Sequence, residues 1–131
     1  MATRPQIKPN LLKPLINAGD MSADITGPVS IIGDLPGIGY DITWTGTPTG
    51  AFTVQVSNSA QFDGQGNYIA GTGNWTVIPS ASFTGTYPVP SGSADNGFID
   101  LFGTNAYAVQ LIYTAASGSG SLTVYPSSKV W

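Results

Sequence analysis

From Ala23 onward the chain alternates apolar and polar residues. Tyr40, Ile42 and Trp44 are separated by Asp41 and Thr43, a period of two that predicts a half-buried strand. Phe52, Val54 and Val56 then alternate with Thr53, Gln55 and Ser57. Between these runs lies TGTPTG, where Gly46 and Gly50 tolerate positive φ and Pro48 suits a turn. The pattern predicts a β-hairpin over residues 44–58. Upstream, Ile25, Val29, Ile31 and Ile32 predict a strand broken at Gly27-Pro28.

A glycine-rich loop, NSAQFDGQGNYIAGTGN, precedes a short strand around Trp75, Val77 and Ile78. Residues 83–89 read as an edge strand ended by Pro88 and Pro90. NGFIDLFG is expected to anchor Phe98, Leu101 and Phe102. In AYAVQLIYTA, Tyr107, Val109, Leu111 and Tyr113 share one face. Ile112 joins Ala108 and Gln110 on the other, so this strand is expected to be covered on both sides and central. ASGSGS turns the chain into a last strand marked by Leu122 and Val124. Short strands spaced by about ten residues predict an all-β fold. The expected architecture is an antiparallel β-sandwich of about seven or eight strands, jelly-roll or immunoglobulin-like. Trp44 and Trp75 are its expected large core residues.

The first twenty residues follow a different rule. Pro5, Pro9 and Pro14 interrupt any helix, while Ile7, Leu11, Leu12, Leu15 and Ile16 need apolar surroundings. Residues 1–20 are therefore read as an arm and 21–131 as the sandwich domain. Arg4, Ile7, Lys8, Leu11, Leu12, Lys13, Leu15 and Ile16 are the expected partner contacts. Extended, nineteen residues reach roughly 60 Å, enough to cross a neighbouring subunit. The competing reading is an irregular first strand lying on the chain's own domain.

Charge sharpens that division. Only 8% of the 131 residues are charged and the net charge is -3, against about 25% charged in ordinary soluble domains. The 7 acidic residues are all Asp. Arg4, Lys8 and Lys13 lie in the first nineteen residues, which hold no acid, and the remainder holds every Asp and a single base, Lys129. An acidic body argues against nucleic acid as a partner. No run approaches the about 20 apolar residues that span a bilayer, so no membrane is expected. Lys13 and Pro14 interrupt the leader's apolar residues, so no secretory signal is expected either. Synthesis in a cytoplasm is the resulting expectation.

With Cys 0 and His 0, disulfides, Cys/His zinc sites and Ser–His–Asp or Cys–His catalysis are excluded. Asp63, Gln65 and Asn67 alternate as in a calcium loop, but no Glu is present to complete it. A hairpin tip is the stronger reading. Asp95 and Asp100 form the nearest carboxylate pair along the C-terminal half for acid–base work, in a context that suggests no cleft. Trp44, Tyr68, Trp75, Tyr87 and Tyr125 could offer stacking faces to sugars, although core packing competes for them. NWT at 74–76 fits a glycosylation sequon, and GSGS and GTG lack the strand–helix context of a phosphate loop. No enzyme and no cofactor are expected.

WTGTPTGAFTVQVSN, the later NWTVI and AVQLIYTAASGSGSLTV together resemble a recurring family of small bacteriophage structural proteins. The likeness covers about residues 40–124 and omits the leader. It implies a virion protein made in the host cytoplasm, foremost a capsid decoration or cement protein. Its partners would be the major capsid protein or other virion proteins, within a homo-oligomer for which a trimer is one form. A tail, neck or fibre-attachment component is the alternative inside the particle, and a carbohydrate-binding receptor module the alternative outside that class.

Overall fold

The computed structural model describes residues 8–9, 14–31, 37–79, 84–85, 87–102 and 106–129. Among them are eleven strands and no helix. They are β1 (Lys8–Pro9), β2 (Ile16–Asp20), β3 (Ile25–Thr26), β4 (Ser30–Ile31), β5 (Gly37–Gly46), β6 (Thr49–Ser57), β7 (Thr76–Val77), β8 (Thr84–Gly85), β9 (Asp95–Phe102), β10 (Ala108–Ser117) and β11 (Gly120–Lys129). One sheet runs β1-β11-β5-β9-β8, with β2 also on β11. The other runs β3-β10-β6-β7, with β4 also on β10. Every pairing is antiparallel. This is a β-sandwich, with five two-residue strands beyond the longer ones that alternation makes visible.

The alternating apolar residues fill the space between the sheets. Tyr40, Ile42, Trp44, Ile99, Leu101, Leu122 and Val124 point in from one side; Phe52, Val54, Val109, Leu111 and Tyr113 point in from the other. Burying each such side chain contributes roughly 1.5–3 kcal/mol. Trp44 meets Phe52 across the gap at 5.8 Å, and Phe52 meets Tyr113 at 5.0 Å. The polar tips are tied to backbone: Trp44 Nε1 donates to the Ser93 carbonyl at 2.9 Å, and Tyr113 Oη to that of Thr49 at 3.0 Å. Met21, which the alternation does not reveal, is also fully buried.

The expected hairpin at 44–58 is an arch instead. β5 pairs with β11 and β9, while β6 pairs with β10 and β7. The chain therefore turns from one sheet into the other. Only Thr47 and Pro48 link the two strands. A two-residue hairpin turn needs positive φ at its first central position or at both; Thr47 is β-branched and Pro48 is locked near −65°. The turn residues thus disfavour the tight hairpin and leave Trp44 and Phe52 facing each other across the core.

β10 and β11 form a second arch, and the two nest. Thr47 N donates to the Ser119 carbonyl at 2.8 Å, and Thr49 Oγ1 and Ser117 Oγ lie 2.6 Å apart. Gly118 has φ 77° and lies against the Thr47 carbonyl; Gly120 lies against that of Thr45. A Cβ at either position would enter those backbone oxygens, so glycine is required for the close approach. Gly92 N donates to the Pro48 carbonyl at 2.9 Å and adds a third segment to this end.

Other expectations fare as their faces dictate. The break at Gly27-Pro28 separates β3 from β4, and both pair with β10. β10 is central and Ala108 and Gln110 are buried on its outer side. Phe98 is no anchor: inward positions on β9 belong to Ile99 and Leu101, and Phe98 is 56% exposed. Tyr107 likewise lies outside the core, because β10 begins after it.

Candidate interaction surface

Three surfaces could meet a partner: the leader, the outer sheet faces and the end of the sandwich opposite the arches. In the leader, Arg4, Ile7, Leu11, Leu12 and Lys13 lie outside the described residues, as does the side chain of Lys8. The backbone of Lys8 and Pro9 pairs with Ser128 and Ser127. Farther along the same edge, Ile16, Gly19 and Asp20 pair with Val124, Leu122 and Ser121. Leu15 N donates to the Val124 carbonyl at 2.7 Å.

Two of the expected partner contacts lie against the chain's own sheet. Ile16 is in the core at 7% exposure and Leu15 packs against it. They belong to the sandwich, because their apolar side chains close its edge at β11. Residues 15–20 thus run along the body's own sheet edge at β11. Ala18, with φ 53°, marks a bulge in β2, an irregularity that makes the sheet edge a poorer template for stray strands.

The outer faces carry few charges. On the first sheet, Tyr125, Asp41 and Phe98 form one cross-strand row, and Thr123, Thr43 and Asn96 the next. On the second, Ser57 and Ala108, Gln55 and Gln110, and Thr53 and Ile112 stand side by side. Gln110 Nε2 donates to Gln55 Oε1 at 2.9 Å. Ile31 and Val77 flank this face, 43% and 46% exposed. Hydroxyls and paired amides can be covered at lower cost than unpaired lysines.

The opposite end is built by residues 58–75. Phe62 and Tyr68 bridge, and Asp63 N donates to the Asn67 carbonyl at 2.8 Å. Asp63 Oδ1 accepts the N–H groups of Gln65 and Asn67 at 2.9 and 3.0 Å. These bonds hold its carboxyl below the usual range. The carboxylate closes a hairpin tip rather than gathering cation ligands. Among the described residues no cluster of three metal-ligating side chains occurs.

Behind the tip, Tyr68 Oη donates to the Thr72 carbonyl at 2.6 Å, and Trp75 Nε1 to the same carbonyl at 3.1 Å. Tyr107, Phe62, Tyr68 and Trp75 make successive edge-on contacts of 5.7–6.0 Å. Trp75 is half-buried here and not between the sheets. Of the five aromatics considered for stacking, Trp44 is core and Tyr87 is tied to backbone, accepting from Val54 N and donating to the Ile78 carbonyl. Burial raises the Tyr87 phenol pKa. Tyr125 stays half-buried on the outer face.

Next to this aromatic group is a cleft of about 300 Å³, lined by Val56, Ser57, Asn58, Ser59, Asn74, Thr76 and Ala106. Nothing in the sequence singles it out, since its lining comes from three segments that alternation does not link. Asp95 and Asp100, by contrast, do not converge. Five positions apart on β9, they lie on opposite faces and roughly 16 Å apart along the strand, beyond the separation that a glycosidase pair requires.

No protein-family profile matches the chain, and no curated protein matches it. Among solved structures, the SPBc2 prophage-derived protein YomS aligns over 98% of this chain and 96% of its own, with 13% identity and a TM-score of 0.45. The K1 cleaved adhesin domain of Lys-gingipain from Porphyromonas gingivalis W83 aligns over 82% and 63%, with 14% identity and a TM-score of 0.40. A structure of infectious bursal disease virus Gx strain aligns over 96% and 40%, with 16% identity and a TM-score of 0.29. Two of these three neighbours are of prophage or viral origin. Likenesses this distant carry no conclusion about activity or partners.

Proposed function

We propose that the protein is a structural component of a bacteriophage particle, a capsid decoration protein that bridges neighbouring shell subunits. The observation that carries this reading is where the likeness to phage structural proteins falls. Its two most distinctive stretches, WTGTPTGAF and YTAASGSG, are far apart in sequence and form the two nested arches. The two stretches meet as one physical unit, in which Gly118 and Gly120 are required by the close backbone contact and Thr49 adds a hydroxyl to Ser117. The low charge of both outer faces supports burial against other subunits. A standard interface covers about 1,600 Å², and apolar burial contributes roughly 25 cal/mol per Å² before the costs of association.

In this reading the side chains of Arg4, Lys8 and Lys13 in the leader add attraction to an acidic shell, while the backbone of Lys8 and Pro9 extends the chain's own sheet at β11. Its partner is the major capsid protein, and the protein itself is oligomeric. The test uses purified expanded heads and the full chain. Binding in hundreds of copies per head is expected, and removal of residues 2–13 should abolish it while the sandwich melts cooperatively. A dozen or fewer copies, located at the portal end, would point to a tail or neck component. Full occupancy by the truncated chain would remove the leader from the mechanism.

A further inference from the structure

We propose that the cleft opposite the arches is a binding site for a neutral carbohydrate of one or two sugar units. Its volume of about 300 Å³ lies at the lower end of small-molecule sites, roughly 300–1,000 Å³. No charged side chain lines it, so neither an anion nor a cation finds a counter-charge there. The lining offers amides and hydroxyls around the apolar groups of Val56 and Ala106. That combination matches a sugar, which presents hydroxyls at its rim and C–H groups on its faces.

The polar groups divide into those that build the cleft and those that can serve a ligand. Ser57 Oγ accepts the N–H groups of Ser59 and Ala60, both at 3.1 Å, and Ser59 Oγ accepts that of Asn74 at 2.8 Å. These two hydroxyls hold the walls. Asn58 Oδ1 accepts the Tyr107 N–H at 2.8 Å, which sets the amide plane and leaves Nδ2 with donors to offer. The side chains of Asn74 and Thr76 make no hydrogen bond to any described residue. A carboxamide both donates and accepts, as does each sugar hydroxyl.

Two aromatics adjoin lining residues along the chain, although the cleft's own lining holds no aromatic ring. Tyr107 directly follows the lining residue Ala106, is 40% exposed, and is braced edge-on by Phe62 at 5.7 Å. Trp75 stands between the lining residues Asn74 and Thr76, with its indole N–H fixed on the Thr72 carbonyl. The walls are thus held in place before any ligand arrives, which lowers the ordering cost of binding. This site is independent of the assembly role and of the leader.

The test is a titration of the uniformly ¹⁵N-labelled full chain with glucose, galactose, mannose, rhamnose, N-acetylglucosamine and N-acetylgalactosamine, and with lactose and cellobiose. At least one sugar should give saturable amide shifts centred on Ser57–Ser59, Asn74–Thr76 and Ala106–Tyr107, with a Kd of about 1 mM. Asn74→Ala and Thr76→Val should each weaken that binding at least about five-fold and together abolish it, with an unchanged melting temperature, because neither side chain bonds to the described fold. The absence of saturable shifts with every sugar would overturn the proposal. So would shifts centred on the arches, or undiminished binding by the double variant.

Discussion

The two ends of the sandwich are held by different means. At the arch end, backbone meets backbone: Thr47 reaches Ser119, Gly92 reaches Pro48, and Gly118 and Gly120 let carbonyls approach where a Cβ would stand. At the other end a long loop is stitched by side chains, with Asp63, Tyr68, Thr72 and Ser57 bonding to nearby main chain. The nested arches join residues about 70 positions apart, and Gly118 and Gly120 there tolerate no added atoms. Side-chain stitching is mostly local, so it can absorb substitution and leaves polar groups over for other uses. The first end secures the relation between the sheets, and the second presents a surface.

The sharpest way to break this comparison is to add one methyl group at each end. Gly118→Ala should cost about 4 kcal/mol in urea unfolding, combining a positive φ with a backbone clash. Gly64→Ala should stay within about 0.5 kcal/mol, since nothing lies within 4 Å of its added Cβ. Equal losses at the two positions would end the distinction.

Tyr87→Phe probes the region between the ends. It leaves the Val54 N–H and Ile78 carbonyl without their shared hydroxyl, and should cost about 1–3 kcal/mol in the same unfolding experiment. Thr72→Val moves to the stitched end, where Oγ1 donates to the Ile69 carbonyl and accepts from Gln61 N. A loss of about 1 kcal/mol is expected, with faster amide exchange confined to residues 58–75. Exchange that rises equally at Thr47 would show the ends to be coupled.

The smallest effect is in acid. Asp63 is held below its ordinary value of 3.8 by the Asn67 and Gln65 N–H groups. Its folded-state pKa is depressed, so its contribution is present above the ordinary carboxylate range and is lost as pH falls through the folded value. Amides of Gln65 and Asn67 should lose protection as pH falls below the ordinary carboxylate range, while those of β10 keep theirs. Because the carboxylate is exposed, the loss should stay local.

Much of this was legible along the chain. Alternation at 40–44, 52–56 and 109–113 marks the core residues, and Ile112 with Gln110 marks β10 as covered on both sides. The leader was less readable. Leu15 and Ile16 look the same in sequence whether they grip a partner or, as here, close their own sheet against β11. The cleft was not legible at all, since Val56, Asn74 and Ala106 share no period and meet only through folding.

By itself, then, the sequence determined strand content, the inward faces and the need for glycine at the turns, because these depend on side-chain periodicity and local backbone sterics. Tertiary structure alone decided that 44–58 crosses between sheets instead of folding back on itself. A strand–turn–strand pattern is the same for a hairpin and an arch, and the choice rests on which distant strand completes each hydrogen-bond ladder. Here β11 and β10 complete them, and that long-range pairing draws the two arches together.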